Sequence, residues 1–321
     1  MEPRMTSCFL RTTAALIALG PAAALASTTH DMPDFTGPLV TPAVNPLPKD
    51  MLNIEPYLIH THVRARYGND GSRHALRERE RTRQWQVALP VIYGLGETTS
   101  VQLTLSALRT STPSGHTDGL RIGDTHVRLL QRLSGPGDDG TGWVTAVSLA
   151  QRLSTGKYHH LNTNPLNGTG NGTSRTTLAF GAQKLQWLAD GRALRWRGQV
   201  AWSPSPGLTR LHGTSVYGTG PGFHGSARHG QAWNASIAAE YALHPRWVLV
   251  GEAVFNRTGK VRMQESHRAW EHRPSQDLSL APAVEYHLSA TLGLIAGVQF
   301  TVAGRNAAAY VAPQAALNMV F

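Results

Sequence analysis

Residues 57–67 read YLIHTHVRARY. Tyr57, Ile59, Thr61, Val63, Ala65 and Tyr67 share one parity, and His60, His62, Arg64 and Arg66 the other. Successive side chains of an extended strand point to opposite faces, so this alternation marks a β-strand with one apolar and one polar face. In a soluble sandwich the polar face meets bulk water; in a membrane barrel it lines the lumen. Which holds depends on how often the pattern returns and on what joins the copies.

It returns along the whole chain. Trp85, Val87, Leu89, Val91 and Tyr93 oppose Gln84, Gln86 and Ala88; Val101, Leu103 and Leu105 oppose Gln102 and Thr104; Val127 and Leu129 oppose His126 and Arg128. Trp196, Val200 and Trp202 oppose Arg195, Arg197 and Gln199; Trp233, Ile237 and Tyr241 oppose Asn234 and Glu240; Trp247, Leu249 and Phe255 oppose Glu252; Leu278, Val284 and Tyr286 oppose Glu285. Strands are expected to start near Met51, Thr82, Thr99, Gly123, Trp143, Ser174, Ala193, Gln231, Trp247, Leu278, Leu292 and Ala309. Their connections alternate between long stretches such as 68–80 and tight turns such as GLGE, HPR and LSA. Long loops on one rim and short turns on the other mark an outer-membrane barrel. The expected fold is therefore all-β: a transmembrane, antiparallel, up-and-down β-barrel of about twelve strands, with long extracellular loops and short periplasmic turns.

Aromatic spacing supports this. Trp85 to Tyr93, Trp233 to Tyr241 and Trp247 to Phe255 are each eight residues apart on the apolar parity, and Tyr57 to Tyr67 ten. Eight residues tilted by about 40° rise about 20 Å, close to the roughly 25 Å apolar band between aromatic girdles. Some positions strain the pattern. Pro90, Pro282 and Pro313 fall inside strands, where each removes a ladder donor, so bulges are expected there. In TTLAFGAQKLQW the parity is expected to fail after Ala182, leaving Lys184 to snorkel at the inner rim.

The ends and the composition agree with export. Arg4 and Arg11 precede the apolar run AALIALGPAAALA, and Ala24-Leu25-Ala26 suits signal peptidase, so residues 1–26 are read as a signal peptide. The single cysteine, Cys8, lies within it. Residues 27–50 hold Pro33, Pro38, Pro42, Pro46 and Pro48 and are read as an extended periplasmic leader able to reach into the lumen, with the barrel spanning 51–321. The chain closes on AALNMVF, and the terminal Phe321 is the aromatic that outer-membrane barrels present to the barrel-assembly machinery. Formal net charge is +10. For an exported chain this excludes nucleic acid as a sensible partner and favours anionic solutes or lipopolysaccharide phosphates.

Four long stretches, GPLVTPAVNPLPKDMLNIEPYL, RLSTGKYHHLN, SVYGTGPGFHG and LSLAPAVEYHLSATLGLIAGVQFTVAGRN, resemble the bacterial outer-membrane family named for the meta pathway of phenol degradation, whose members are often labelled transporter. The resemblance spans nearly all of the chain after the signal. It implies a β-barrel and suggests passage of small molecules, aromatic ones among them; it brings no catalytic residues and no cofactor.

Candidate pore-lining residues follow from parity: His60, His62, Arg64, Arg66, His126, Arg128, Arg132, Arg195 and Arg197, opposed by Glu240, Glu252 and Glu285. Such charges can set a field across a narrow, anion-preferring path, or pair across the lumen and fill it. If the second strand runs upward past Trp85, Arg77, Arg79, Arg81 and Arg83 face lipopolysaccharide, while Glu78 and Glu80 turn inward toward Arg64 and Arg66. His159 and His160 are adjacent in a glycine-rich loop, but no cysteine or carboxylate cluster completes a metal site, and none is assigned. Ser148, Ser236 and His126 are the residues a lipase or esterase would draw on, yet GxSxG is absent. The leading expectation is an outer-membrane channel for passive passage of small molecules. A closed, surface-binding barrel and an outer-membrane lipase or esterase are the alternatives.

Overall fold

The computed structural model describes residues 33–137, 140–162 and 164–321. The proposed signal peptide and residues 27–32 of the leader lie outside the described residues. Twelve long strands form one antiparallel ring: β1 (Leu52–Ile54, continued by Tyr57–Tyr67), β2 (Thr82–Gly96), β3 (Thr99–Thr112), β4 (Thr125–Ser134), β5 (Gly142–Leu153) and β6 (Arg175–Trp187). The ring continues through β7 (Ala193–Ser203), β8 (Ala232–His244), β9 (Trp247–Thr258), β10 (Ser275–Leu280, continued by Ala283–Ser289), β11 (Leu292–Arg305) and β12 (Ala308–Val320). Each pairs with its sequence neighbours, and β1 pairs with both β2 and β12, which leaves no open edge. The starts depart from those expected from the sequence by no more than three residues.

Connections on one rim are short, as at 97–98, 245–246 and 290–291, whereas 68–81, 113–124, 154–174, 204–231 and 259–274 leave the other. The apolar face lies outside, with Leu58, Trp85, Val87, Leu149, Phe180, Val200 and Ile237 all exposed. So large an exposed apolar belt is stable only against lipid. Among the described residues no helix is long and apolar enough to cross a membrane; strands make the crossing.

The prolines are accommodated by interruptions rather than by bulges. Pro90 stays in register with Thr104 of β3 and on its other side faces the Glu55–Pro56 break in β1, where Glu55 N donates to Pro90 O at 3.0 Å. Pro282 occupies the break in β10. Pro313 pairs with Val298 of β11 and, toward β1, falls where the ladder skips from Ile59↔Gln314 to His62↔Val311. The expected loss of apolar-outward parity in β6 is observed: beyond Ala182 the polar Lys184 and Gln186 take the outer face, and Leu185 is buried inside with Ala193 and Ala242. The ladders of β6 to β5 and β7 are continuous through Lys184, which stays on the outer face with its amine 5.7 Å from the Trp143 ring centroid.

Beyond the long-loop rim, Thr209–His212, His224–His229, Val261–Glu265 and Arg268–His272 form a separate four-stranded sheet over a core of Leu211, Phe223, Ala227 and Met263. Tyr217 seals it: its hydroxyl donates to Asn171 O and lies 2.6 Å from His229 Nε2, which must then be the donor in that pair. Burial, followed by the nearby Arg175 and Arg152, pushes the His229 pKa down to about 4. A folded-state value below the unfolded one means that the sheet's full stability is present above pH about 6.5 and is lost as pH falls toward 4. We predict that hydrogen-exchange protection across residues 217–229 declines over this window by on the order of 2 kcal/mol, and that His229→Gln removes the pH dependence.

Candidate functional site: the barrel lumen

Inside the ring the acidic residues of the late strands meet two kinds of partner. Glu240 of β8 is fully buried and receives Arg195 of β7 through Nε at 2.7 Å and through a second short contact from Nη2; Arg197 Nη2 lies 3.7 Å away. Glu252 and Glu285 are held instead by backbone. Val40 N and Thr41 N donate to Glu252 at 3.1 and 2.6 Å, and Thr36 N and Gly37 N donate to Glu285 at 2.7 and 3.2 Å. These donors belong to the proline-rich segment, so residues 35–48 thread the periplasmic half of the lumen. Proline spacing keeps the segment extended, and its free amides therefore seek partners on the wall.

Other contacts fix its path. Leu39 packs with Val248, Val250, Ala283, Ile295 and Ala316, and Val44 with Leu130, Val144 and Ala146. Arg128 Nη2 donates to Ala43 O at 2.9 Å, Arg132 Nη1 to Asn45 Oδ1 at 3.1 Å, and the Arg195 guanidinium lies 4.1 Å over the Phe35 ring. The wall is carved to admit the segment. A Cβ on Gly181 would come within 2.9 Å of Val44, one on Gly297 within 2.7 Å of Leu39, and one on Gly293 within 2.2 Å of Thr36. Where the segment leaves the wall, a Cβ on Gly94 would lie 1.8 Å from Pro48 O, a backbone atom that cannot swing away. Gly94→Ala is expected to destabilise the folded barrel by about 2 kcal/mol, the cost of overpacking a close-packed site, as read by urea unfolding in bicelles.

The segment does not fill the lumen. A cavity of about 220 Å³ remains beside it, lined by Glu55, Gln102, Arg128, Arg197 and Asn318 among others. Toward the extracellular end His126, paired with Thr104 on the inner parity, is exposed, whereas Arg175 and Ser203 of the same parity are buried, Arg175 Nη2 donating to Gly230 O of a long loop at 3.1 Å. The lumen thus has a filled, hydrogen-bonded lower half and a polar upper half that the long loops cover in part.

Of the twelve residues expected to line the pore, His126, Arg128, Arg132, Arg195, Arg197, Glu240, Glu252 and Glu285 face inward, and His60, His62, Arg64 and Arg66 do not. His60 is the cross-strand partner of Trp85 and stacks on it, with ring centroids 4.0 Å apart. His62 pairs with Arg83, and Leu58 with Val87, all on the lipid side. Tyr57 packs against the lumenal cluster around Leu39, and Ala65 and Tyr67 are buried with Ala309. The parity of β1 is thus inverted relative to expectation: its apolar residues pack against the threaded segment and β12, and its cations crown the outside. The aromatic pair Tyr57 and Tyr67 is for the same reason not a girdle.

The arginine stretch is corrected likewise. Glu78–Glu80 form a 3-10 turn with Glu80 accepting from Arg77 N at 2.9 Å, and β2 begins at Thr82. Period two therefore stops at Thr82, Arg77 and Arg79 sit in an exposed loop, and Glu78 and Glu80 are exposed rather than lumenal. Phe321 ends at the short-turn rim, exposed, with its backbone paired to Leu52. No triad is assembled around His126. Its β5 partner is Arg152, four residues from Ser148, about 13 Å along the strand, while Ser236 lies on β8. His159, His160, His212 and His224 form a loose ring cluster in the loops, and among the described residues no group of three or more is arranged to hold a metal.

Among solved structures, the COG4313 outer membrane channel from Pseudomonas putida F1 aligns over 89% of this chain and 99% of its own at 15% identity and a TM-score of 0.65. NanC porin aligns over 84% and 98% at 10% identity and 0.41, and the translocator domain of the autotransporter NalP from Neisseria meningitidis over 84% and 88% at 12% and 0.44. No curated protein matches in sequence. A closed twelve-stranded barrel with a lipid-facing apolar belt, of the same fold as an outer-membrane channel, is an outer-membrane protein. Residues 74–312 match the family model described as the MetA-pathway of phenol degradation, and the chain belongs to that family.

Proposed function

We propose that the chain is a passive outer-membrane channel for small molecules, in which residues 35–48 act as a fixed constriction. The observation that carries this reading is the polar cavity of about 220 Å³ left beside the threaded segment and lined by Arg128 and Arg197. Glu240 is matched by two arginines and Glu252 and Glu285 by leader amides, whereas Arg128 and Arg132 face only a carbonyl and an amide oxygen. Glu55, which lines the same cavity, accepts from Asn53 and Asn318, so two arginines without a carboxylate stand against one carboxylate without an arginine or a leader amide, a balance that favours anions. The family association and the relative described as an outer membrane channel support passage as the role. Small aromatic carboxylates suit both the charge and the narrowness of the cavity. Flux is read as following the solute's own gradient, since among the described residues nothing resembles an energy-coupling element. We do not assign catalysis, because the candidate serines and histidine are apart.

Proteoliposomes with folded full-length protein should take up benzoate at least about threefold faster than benzylamine, a preference set by the lumenal arginines. Equal rates would remove the charge filter, and entry of a disaccharide at the same rate would show a wide pore instead. A closed, surface-binding barrel is the second reading, favoured by the same threaded segment; it predicts no uptake of any of the three.

A further inference from the structure

The inverted parity of β1 creates a feature unrelated to the lumen. His62, Arg64, Arg81 and Arg83 wall an outward depression of about 340 Å³ floored by Ser111 and Thr112, with Glu78 its single acidic residue. Arg109 lies alongside, as the cross-strand partner of Trp85. Among the described residues none of these four arginines has an ion pair within 4.0 Å. Arg64 Nη2 lies 3.2 Å from His62 Nδ1 and Arg81 Nε donates to Leu76 O at 3.4 Å, which leaves most guanidinium donors free. Elsewhere in the loops exposed cations do find carboxylates, as Lys260 and Arg262 do at Glu271. Unmatched arginines gathered in one concave place need a partner that the chain does not supply.

Position identifies the partner. Trp85 is exposed on the lipid side and marks the interface, where indole rings settle between acyl chains and headgroups. Arg83 stands two residues nearer the long-loop rim, about 5 Å further along the membrane normal at a tilt of about 40°. That is the level of headgroup phosphates. We propose that this cleft binds the phosphorylated headgroup of a lipid of the outer leaflet, with Arg64, Arg81 and Arg83 as forked donors to phosphate oxygens and Trp85 beside its acyl chains. Guanidinium forks match phosphate geometry in pairs of parallel hydrogen bonds, which lysine would not.

The test uses folded full-length protein in detergent micelles with bis-phosphorylated lipid A, its dephosphorylated counterpart and inorganic phosphate as probes, bound lipid being counted by native mass spectrometry. Lipid A should bind at least about tenfold tighter than the dephosphorylated form, and Arg64→Gln/Arg81→Gln/Arg83→Gln should lose at least about tenfold in affinity. Arg210→Gln/Arg228→Gln/Arg268→Gln, which removes equal charge from exposed positions on the outer sheet, should leave binding unchanged. Heat-modifiable migration verifies that each variant is folded. Equal binding of the two lipids, an unaffected first variant, or the same loss in both variants would overturn the proposal. Displacement of lipid A by an equimolar amount of inorganic phosphate would also overturn it, by showing a free-anion site instead of a lipid site.

Discussion

Deletion of residues 33–48 is expected to raise single-channel conductance by roughly three- to tenfold, since ion flow scales with the open cross-section of a barrel. The reasoning is geometric. The segment occupies the periplasmic half of the lumen, where Leu39 and Val44 are buried against opposite parts of the wall and the cavity left beside them measures about 220 Å³. Without the segment, Glu252 and Glu285 lose their amide donors and come into contact with lumenal water, so the enlarged pore should also carry relatively more cations. A smaller perturbation separates size from charge. Glu252→Gln/Glu285→Gln keeps the segment but weakens its charge-assisted hydrogen bonds, and should give brief openings to the large state rather than a permanent one. Unchanged conductance in the deletion, from protein shown to be folded, would place the constriction elsewhere.

The second large effect is on stability. Glu240→Ala is expected to cost about 3 to 5 kcal/mol in urea unfolding, the range for removing one partner of a buried ion pair. Arg197 is only 7% exposed at its side chain and Arg195 15%, so both stay largely out of water when Glu240 is lost. The double variant Glu240→Ala/Arg195→Ala should recover part of the loss, because fewer uncompensated charges remain. Glu240→Gln retains an acceptor and should fall between. If Glu240→Ala unfolds like the unmodified chain, the triad is solvated rather than buried, and the picture of a closely filled lower lumen fails.

Most of the barrel was legible because alternation of outward Trp, Leu and Val with inward Gln, Arg and Glu recurs at strand spacing. Tight turns such as HPR fixed the strand ends independently. What was misread shows where that logic stops. In β1 both parities carry polar and apolar residues, and the apolar one is inward because the threaded segment and β12 make an apolar surface there. Parity alone cannot see such a surface. The cross-strand partner could: Trp85 and Val87 are unambiguous, and register with them sets Leu58 and His60 outside. The threaded segment left its own signal in Gly181, Gly293 and Gly297, all on the inner parity of strands that otherwise carry side chains there. Glycine in mid-strand marks close approach of another chain segment. The arginine run was legible as an outward basic surface but not in its details, because the 3-10 turn at Glu78–Glu80 breaks the period that assigned each side chain a face.

The most direct measurement is single-channel recording of the intact chain in a planar bilayer under a salt gradient. A narrow, lumenal path with uncompensated Arg128 and Arg132 predicts small, discrete steps whose reversal potential shifts toward the anion equilibrium value. Cation-selective steps, or silence from folded protein that persists after residues 33–48 are deleted, would contradict the account.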